Sequence, residues 1–180
     1  MSAAKLDPQR AALVVVDVQE AFRKAVPTFD EIADATAKLV RGAAAIGVPI
    51  VVTEQYPKGL GKTVDVVAEH LPEGVEPVEK VRFSAAEADG FDLSGRNQAI
   101  VCGIETHVCV NQTVLDLIAD GVETQVVTDA VGSRTEANRE LGLRKMERAG
   151  ATLTSVETAL FELLRGSDSP AFKEVQALIK

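Results

Sequence analysis

The sequence predicts an α/β protein in which a six-stranded, doubly wound parallel sheet is covered by helices on both faces. Short apolar runs rich in valine, typical of strands buried on both faces, alternate with segments whose apolar residues recur at helical spacing. The 180 residues are 46% hydrophobic and 26% charged, an ordinary balance for a globular domain. We therefore expect one domain over residues 1–180.

The strands are indicated by apolar runs that end at a polar residue or a glycine. The first is nearly all apolar and ends at Asp17, and the second tolerates Pro49 because the proline lies near its start. The third is a strand-like segment that contains Lys80. In chain order, the predicted strands are residues 11–16, 48–53, 78–83, 99–102, 122–128 and 152–156.

The helices are indicated by apolar residues spaced three and four apart. Asp30 caps the first helix and Gly47 ends it, and the helix after the fourth strand stops before Asp120 and Gly121. A loop is expected at residues 54–62. The predicted helices are residues 30–46, 64–70, 85–88, 108–119, 135–149, 158–164 and 171–179.

The strand order follows from the handedness of the crossovers. Right-handed crossovers make the winding reverse, and two halves of three strands place the first and fourth strands side by side. Ligands bind at the carboxyl ends of the strands beside such a switch point. Asp17 ends the first strand and Cys109 follows the fourth, so we expect both in one crevice.

Cys109 is the candidate nucleophile. It falls in or near the first turn of a helix that directly follows a strand, where free backbone N–H groups and the helix dipole favour negative charge. We expect its thiol to be biased toward thiolate and to be alkylated quickly by iodoacetamide near neutral pH. Cys102 ends an apolar run and is interpreted as inert packing, a role that stays open for Cys109 as well.

Asp17 and Lys80 are the side chains expected to assist this thiol. Asp17 would be a general base that takes the Cys109 proton and returns it to a leaving group, or else a cap or turn residue. Lys80 would lower the pKa of the thiol and orient Asp17, or else is a solvated surface lysine. His107 lies two residues from Cys109, so its side chain points elsewhere, and it is interpreted as a pocket or cap residue.

Aromatic residues that follow strand ends are expected to wall an apolar pocket, or else to pack within loops. The predicted pocket residues are Gln19, Phe22, Tyr56, Phe83 and Thr106. No group of cysteines and histidines has the spacing of a zinc site, and neither glycine-rich phosphate-binding pattern is present. We therefore predict no metal and no cofactor.

The net charge and the cysteine content indicate which classes of partner and which cellular location to expect. A formal charge of −8 argues against nucleic acid and anionic membranes as partners, and it does not identify a substrate. The partner that we expect is a small-molecule substrate. Two cysteines form no disulfide framework, and the N-terminus lacks an apolar signal core, so a cytoplasmic location is predicted. The apolar closing helices indicate a homo-oligomer, a dimer or larger, or else simply cover the sheet.

Three segments together resemble a known family. LVVVDVQEAF from Leu13, VEKVRFSA from Val78 and CGIETHVCV from Cys102 are similar to motifs of the isochorismatase-like cysteine hydrolases, which include nicotinamidases and N-carbamoylsarcosine amidohydrolases. The resemblance covers residues 13–164 and implies a Rossmann-like isochorismatase hydrolase fold. It further implies an Asp17–Lys80–Cys109 triad, a cis peptide bond before Glu105, and an oxyanion hole made by the backbone N–H groups of Glu105 and Cys109.

One departure from the family pattern bears on the chemistry. Metal-binding nicotinamidases carry an Asp-x-His motif and further histidines after the second strand, whereas residues 53–57 read TEQYP and no histidine precedes His70. The resemblance is therefore to the small isochorismatase-domain proteins, and it implies metal-independent hydrolysis of a small amide or related C–N bond through a Cys109 thioester. The alternatives are isochorismatase-type vinyl ether hydrolysis and a non-hydrolytic redox or interaction protein that retains the pocket.

Overall fold

A computed structural model describes residues 5–180, and within them six parallel strands form one sheet in the order β3-β2-β1-β4-β5-β6. The strands are β1 (Ala11–Val16), β2 (Ile50–Gln55), β3 (Val78–Lys80), β4 (Gln98–Ile104), β5 (Glu123–Gly132) and β6 (Thr152–Thr154). The predicted fold class is confirmed, as is the placement of the first and fourth strands side by side.

Helices cover both faces of the sheet and enclose two apolar cores. The helices are α1 (Phe29–Ile46), α2 (Pro57–Leu60), α3 (Asp65–Ala68), α4 (Asn111–Ala119), α5 (Glu136–Ala149), α6 (Val156–Leu164) and α7 (Phe172–Ile179). Helix α1 packs against α6 and α7, while α4 packs against α5 on the other face. None of the helices among residues 5–180 has the length and apolar character needed to cross a membrane.

Several boundaries differ from the sequence-based prediction. Strand β4 continues beyond Cys102 to Ile104, and β5 continues to Gly132, because these two strand ends pair with each other after a register shift. Strand β3 ends at Lys80 instead of Phe83. The short helix α2 lies inside the predicted loop, and it begins with a proline at its first turn, where proline is tolerated.

The closing helices mostly cover the sheet. Leu163, Leu164 and Leu178 are buried within the chain, and the Phe161 and Phe172 rings meet edge to face with their centroids 6.4 Å apart. These residues therefore leave little apolar surface for another subunit, because the chain itself buries most of it.

The ends of β1 and β4 approach each other unusually closely. Gly103 pairs with Val16 and has a φ of +122°, which L-residues with a side chain rarely adopt. A Cβ atom on Gly103 would lie 2.0 Å from the Val16 carbonyl oxygen. The absence of a side chain therefore permits this approach beside Asp17, the residue that follows β1.

Candidate active site

A buried ion pair lies at the carboxyl ends of the central strands. Lys80, the last residue of β3, donates from Nζ to Asp17 Oδ2 at 2.8 Å, and both side chains are almost fully buried. Thr53 lies between them on β2 and donates from its hydroxyl to Asp17 Oδ1 at 2.7 Å. Both carboxylate oxygens of Asp17 are therefore hydrogen-bonded, which fixes the orientation of the carboxylate.

The Lys80 ammonium has further acceptors around it. It donates to Gln55 Oε1 at 2.7 Å, to the Phe83 carbonyl at 2.9 Å and to the Arg82 carbonyl at 3.2 Å. These partners compensate for the loss of water around a buried charge. The sequence reasoning missed Thr53 and Gln55, although polar residues at the end of an apolar strand beside β1 were a usable signal.

Cys109 lies next to this pair, in a single π-helical turn (Thr106–Val110) between β4 and α4. Both Asp17 and Lys80 are within hydrogen-bonding reach of its thiol. Burial, followed by the Asp17 carboxylate, raises the pKa of Cys109 to about 12, and Lys80 opposes this rise. The expected thiolate bias is therefore wrong: the thiol is protonated at neutral pH, and rapid alkylation by iodoacetamide is no longer expected.

The pKa of the Cys109 thiol should respond to Asp17 in a defined direction. We expect Asp17→Asn to lower this pKa, because the neutral amide no longer repels the thiolate. In a Cys102→Ala background, thiolate absorbance near 240 nm should then appear at lower pH than in the parent protein. Asp34→Asn, an exposed position on α1, is the matched control. An unchanged titration in Asp17→Asn would contradict the placement of this carboxylate beside the thiol.

Backbone hydrogen bonds hold the turn that contains Cys109. The Glu105 carbonyl accepts from the N–H groups of Val108 at 3.1 Å and Val110 at 3.2 Å. Thr113 donates from its hydroxyl to the Cys109 carbonyl at 2.7 Å and accepts from the Ala85 N–H at 2.8 Å. The turn is thus tied to the segment that follows Lys80. The peptide bond between Ile104 and Glu105 is cis, as the resemblance implies.

The predicted pocket residues separate into two groups. Gln19 is a correction: its amide is buried and hydrogen-bonded to Gln55 and Gly61 backbone groups. Thr106 is fully buried in the turn itself, so these two side chains are not free to line an open pocket. Phe22 is partly buried and packs against the main core, and its place in a pocket stays a prediction.

Tyr56 and Phe83 are about half exposed beside the carboxyl end of β3. Tyr56 lines a cavity of about 560 Å³ together with Lys80, whereas Phe83, Asp17 and Cys109 do not line it. This cavity therefore lies on the Lys80 side of the ion pair, at the edge of the sheet, and neither Asp17 nor Cys109 lines it.

Among residues 5–180, no cluster of three or more histidine, cysteine, aspartate or glutamate residues is arranged to hold a metal ion. His107 Nδ1 lies 3.0 Å from the Ser133 hydroxyl, so this ring nitrogen is hydrogen-bonded and takes no part in a dyad with the thiol. The reactive side chains that meet at this site are the acid, the amine and the thiol.

Comparison with known proteins assigns the chain to a family. The profile of the isochorismatase domain matches residues 11–158. Isochorismatase domain-containing protein 2A of Mus musculus is 38% identical over 182 residues, covering 99% of this chain and 87% of the relative. This chain belongs to the isochorismatase family. The family supports a hydrolase-type function for it, in agreement with the resemblance described above.

Two solved structures show the same fold. MAR1 ribonuclease from Caenorhabditis elegans is 41% identical, with a TM-score of 0.92 over 98% of this chain and 92% of that one. YcaC from Pseudomonas aeruginosa, solved with hexane-2,5-diol and covalent acrylamide, is 26% identical, with a TM-score of 0.87 over 99% of this chain and 93% of that one. The isochorismatase fold therefore extends over nearly the whole of this chain.

Proposed function

We propose that this isochorismatase-family protein is a metal-independent hydrolase of a small amide or related C–N bond, with Asp17, Lys80 and Cys109 as its catalytic residues. The observation that supports this proposal is the buried Lys80–Asp17 ion pair, whose members both reach the thiol of Cys109. A base, a cation and a nucleophile in contact are the parts needed for attack on a carbonyl carbon.

The first half of the reaction forms a thioester. Because the pKa of Cys109 is about 12, Asp17 takes the thiol proton as the sulfur attacks the carbonyl carbon, and no free thiolate precedes the attack. The carbonyl electron pair moves onto oxygen, where the backbone N–H groups of Glu105 and Cys109 would stabilise it. One such donor contributes about 3–4 kcal/mol to the transition state.

The second half releases both products. The C–N bond breaks as Asp17 gives its proton to the leaving nitrogen, and water then attacks the thioester with Asp17 as base. The C–S bond breaks as Asp17 gives the proton taken from water to the departing sulfur, the carboxylic acid leaves, and the Cys109 thiol is restored. Lys80 keeps Asp17 in position between the two proton transfers, since its Nζ is hydrogen-bonded to the Asp17 carboxylate and to three further acceptors.

Two other activities, vinyl ether hydrolysis and RNA cleavage, fit this site less well. Vinyl ether hydrolysis needs an acid but no nucleophile, so it leaves the placement of Cys109 without a role. The covalent acrylamide in P. aeruginosa YcaC supports a reactive nucleophile in this fold and room for a small amide beside it. The name of the C. elegans relative points to RNA, but the formal charge of −8 weighs against a polyanionic substrate.

The proposal extends to the partners, the location and the assembly of the enzyme. We propose a small-molecule substrate, a cytoplasmic location, no cofactor and assembly into a homo-oligomer. Three exposed apolar side chains near the end of β3 support an assembly: Tyr56, Val81 and Phe83. The closing helices do not support it, because the chain itself buries most of their apolar surface.

The test is a search for the thioester. The protein is incubated at neutral pH, with and without EDTA, with a panel of small primary amides and N-carbamoyl compounds, and with single-stranded RNA in parallel. We expect an acyl group on Cys109 by peptide mass spectrometry, together with release of ammonia or amine. Oxidation of Cys109 without acylation would instead support a redox role, cleavage of RNA alone would support a nuclease, and turnover lost with EDTA would support a metal enzyme.

A further inference from the structure

The segment from the end of β5 into α5 packs closely against the turn that contains Cys109. Ser133 hydrogen-bonds to His107, and Arg134 to the carboxylate of Glu105. Gly142 of α5 lies so close that a Cβ atom there would be 2.9 Å from the Thr106 carbonyl oxygen. This segment therefore makes three separate contacts, with Glu105, Thr106 and His107, which lie just before Cys109.

The contact between Arg134 and Glu105 is the most extensive of the three. The backbone N–H of Arg134 donates to Glu105 Oε1 at 2.9 Å, and its Nε donates to the same oxygen at 3.0 Å. Its NH2 group donates to Oε2 at 2.7 Å. The pairing is bidentate, which fixes direction as well as distance. Glu105 is 3% exposed, while the arginine side chain is 59% exposed.

Glu105 transmits this contact to the turn. Its carboxylate is held by Arg134, and its own carbonyl accepts from Val108 and Val110, which flank Cys109. Burial raises the pKa of Glu105, but the Arg134 hydrogen bonds and charge outweigh burial, so the pKa is lowered and the carboxylate is ionised at neutral pH. A shift of the side chain would therefore also shift the backbone from which the Cys109 turn starts.

We propose that Arg134 is a positioning residue for the hydrolysis: through the carboxylate of Glu105 it holds the turn that presents the Cys109 sulfur and the backbone donors to the substrate. The inference rests on the proposed function. Arg134 is hydrogen-bonded and ion-paired to Glu105 and not to Asp17, Lys80 or Cys109, so its effect passes through Glu105. An error of about 1 Å in the placement of reacting groups lowers a rate by about 100-fold.

The experiment measures labelling of Cys109 by acrylamide alongside turnover of any amide found in the panel. In labelling, the sulfur bonds to the terminal alkene carbon and the C=C electron pair moves toward the carbonyl. The thiol proton ends on the carbon next to the carbonyl. The limiting rate constant and the half-saturating acrylamide concentration are determined for the wild type, Arg134→Gln, Glu105→Gln and the double variant.

We expect Arg134→Gln to lower the limiting rate constant by about 10- to 100-fold with little change in the half-saturating concentration. Glu105→Gln should show a similar loss, and the double variant no further loss, because the two residues act as one unit. Arg134→Lys should recover part of the rate, since lysine keeps the charge but not the bidentate geometry. The control is Arg144→Gln with Glu140→Gln, an exposed pair on α5.

The outcomes distinguish the two proposals. If the wild-type Cys109 neither reacts with acrylamide nor turns over an amide, the proposed function fails and the inference fails with it. If Cys109 reacts normally but Arg134→Gln matches the wild type, or if the two single effects add, the positioning role alone is overturned. The thermal melting of each variant shows whether it folds. If Arg134→Gln does not fold, the labelling rate of Arg134→Lys is compared with that of the wild type instead.

Discussion

Replacement of Cys109 by alanine should abolish amide turnover. We expect kcat/KM to fall by at least about 10⁴-fold, because loss of the attacking group in a nucleophile–base unit removes nearly all of its catalysis. The residual rate would reflect binding and the backbone donors alone. The measurement is steady-state turnover of the amide found in the panel, followed by amine or ammonia release.

Cys102→Ala is the matched control for this substitution. Both thiols are buried, and burial raises the pKa of each to about 12, so exposure and acidity do not distinguish them. They differ in their neighbours: Asp17 and Lys80 reach Cys109, whereas Cys102 lies near the Val14 carbonyl. We expect Cys102→Ala to retain turnover, with a modest loss of stability. Equal turnover in the two variants would contradict the assignment of Cys109 as nucleophile.

Gly103→Ala should damage both stability and activity. The new Cβ atom would lie 2.0 Å from the Val16 carbonyl oxygen, at a φ of +122°. We expect the free energy of unfolding to fall by about 3 kcal/mol or more, since strain at a positive φ and overpacking each contribute about 1–3 kcal/mol. Relief of the clash separates β1 from β4 beside Asp17, so turnover should fall as well.

Gly150→Ala separates these two causes. Gly150 ends α5 with a φ of +115°, close to that of Gly103, but a Cβ atom there would have no neighbour within 4 Å. We expect this variant to lose only about 1–3 kcal/mol of stability and to keep its activity. Urea denaturation and turnover of the two variants provide the comparison. A Gly103→Ala protein no less stable than Gly150→Ala would show that the close approach of β1 and β4 is unimportant.

Much of the fold could be predicted from local pattern. Apolar runs and helical spacing located all six strands of the described sheet, although only β1 ends where expected. The placement of β1 beside β4 followed from the handedness of crossovers. The ends of β4 and β5 were missed because their pairing continues through Gly103 and Gly132, and that pairing depends on a neighbouring strand.

The candidate site likewise contains residues that could be predicted from the sequence and residues whose roles could not. Asp17 and Cys109 were predictable because each follows a strand, and parallel strands bring their carboxyl ends to one edge. Lys80 was predictable because it lies in an otherwise apolar strand-like segment. The roles of Gln19 and Phe22 were not predictable from strand ends alone. Gln19 turns inward to backbone groups and Phe22 packs against the core, since a loop close to a core satisfies its own polar and apolar groups first.

The acidity of Cys109 shows where sequence reasoning stops. Position after a strand and near a helix start favours thiolate, and that much the sequence by itself determined. Tertiary structure decided the opposite, because it buries the thiol and places the Asp17 carboxylate beside it. Desolvation and the field of a neighbouring charge depend on residues up to 92 positions apart in the chain, so they exist only once the sheet has formed.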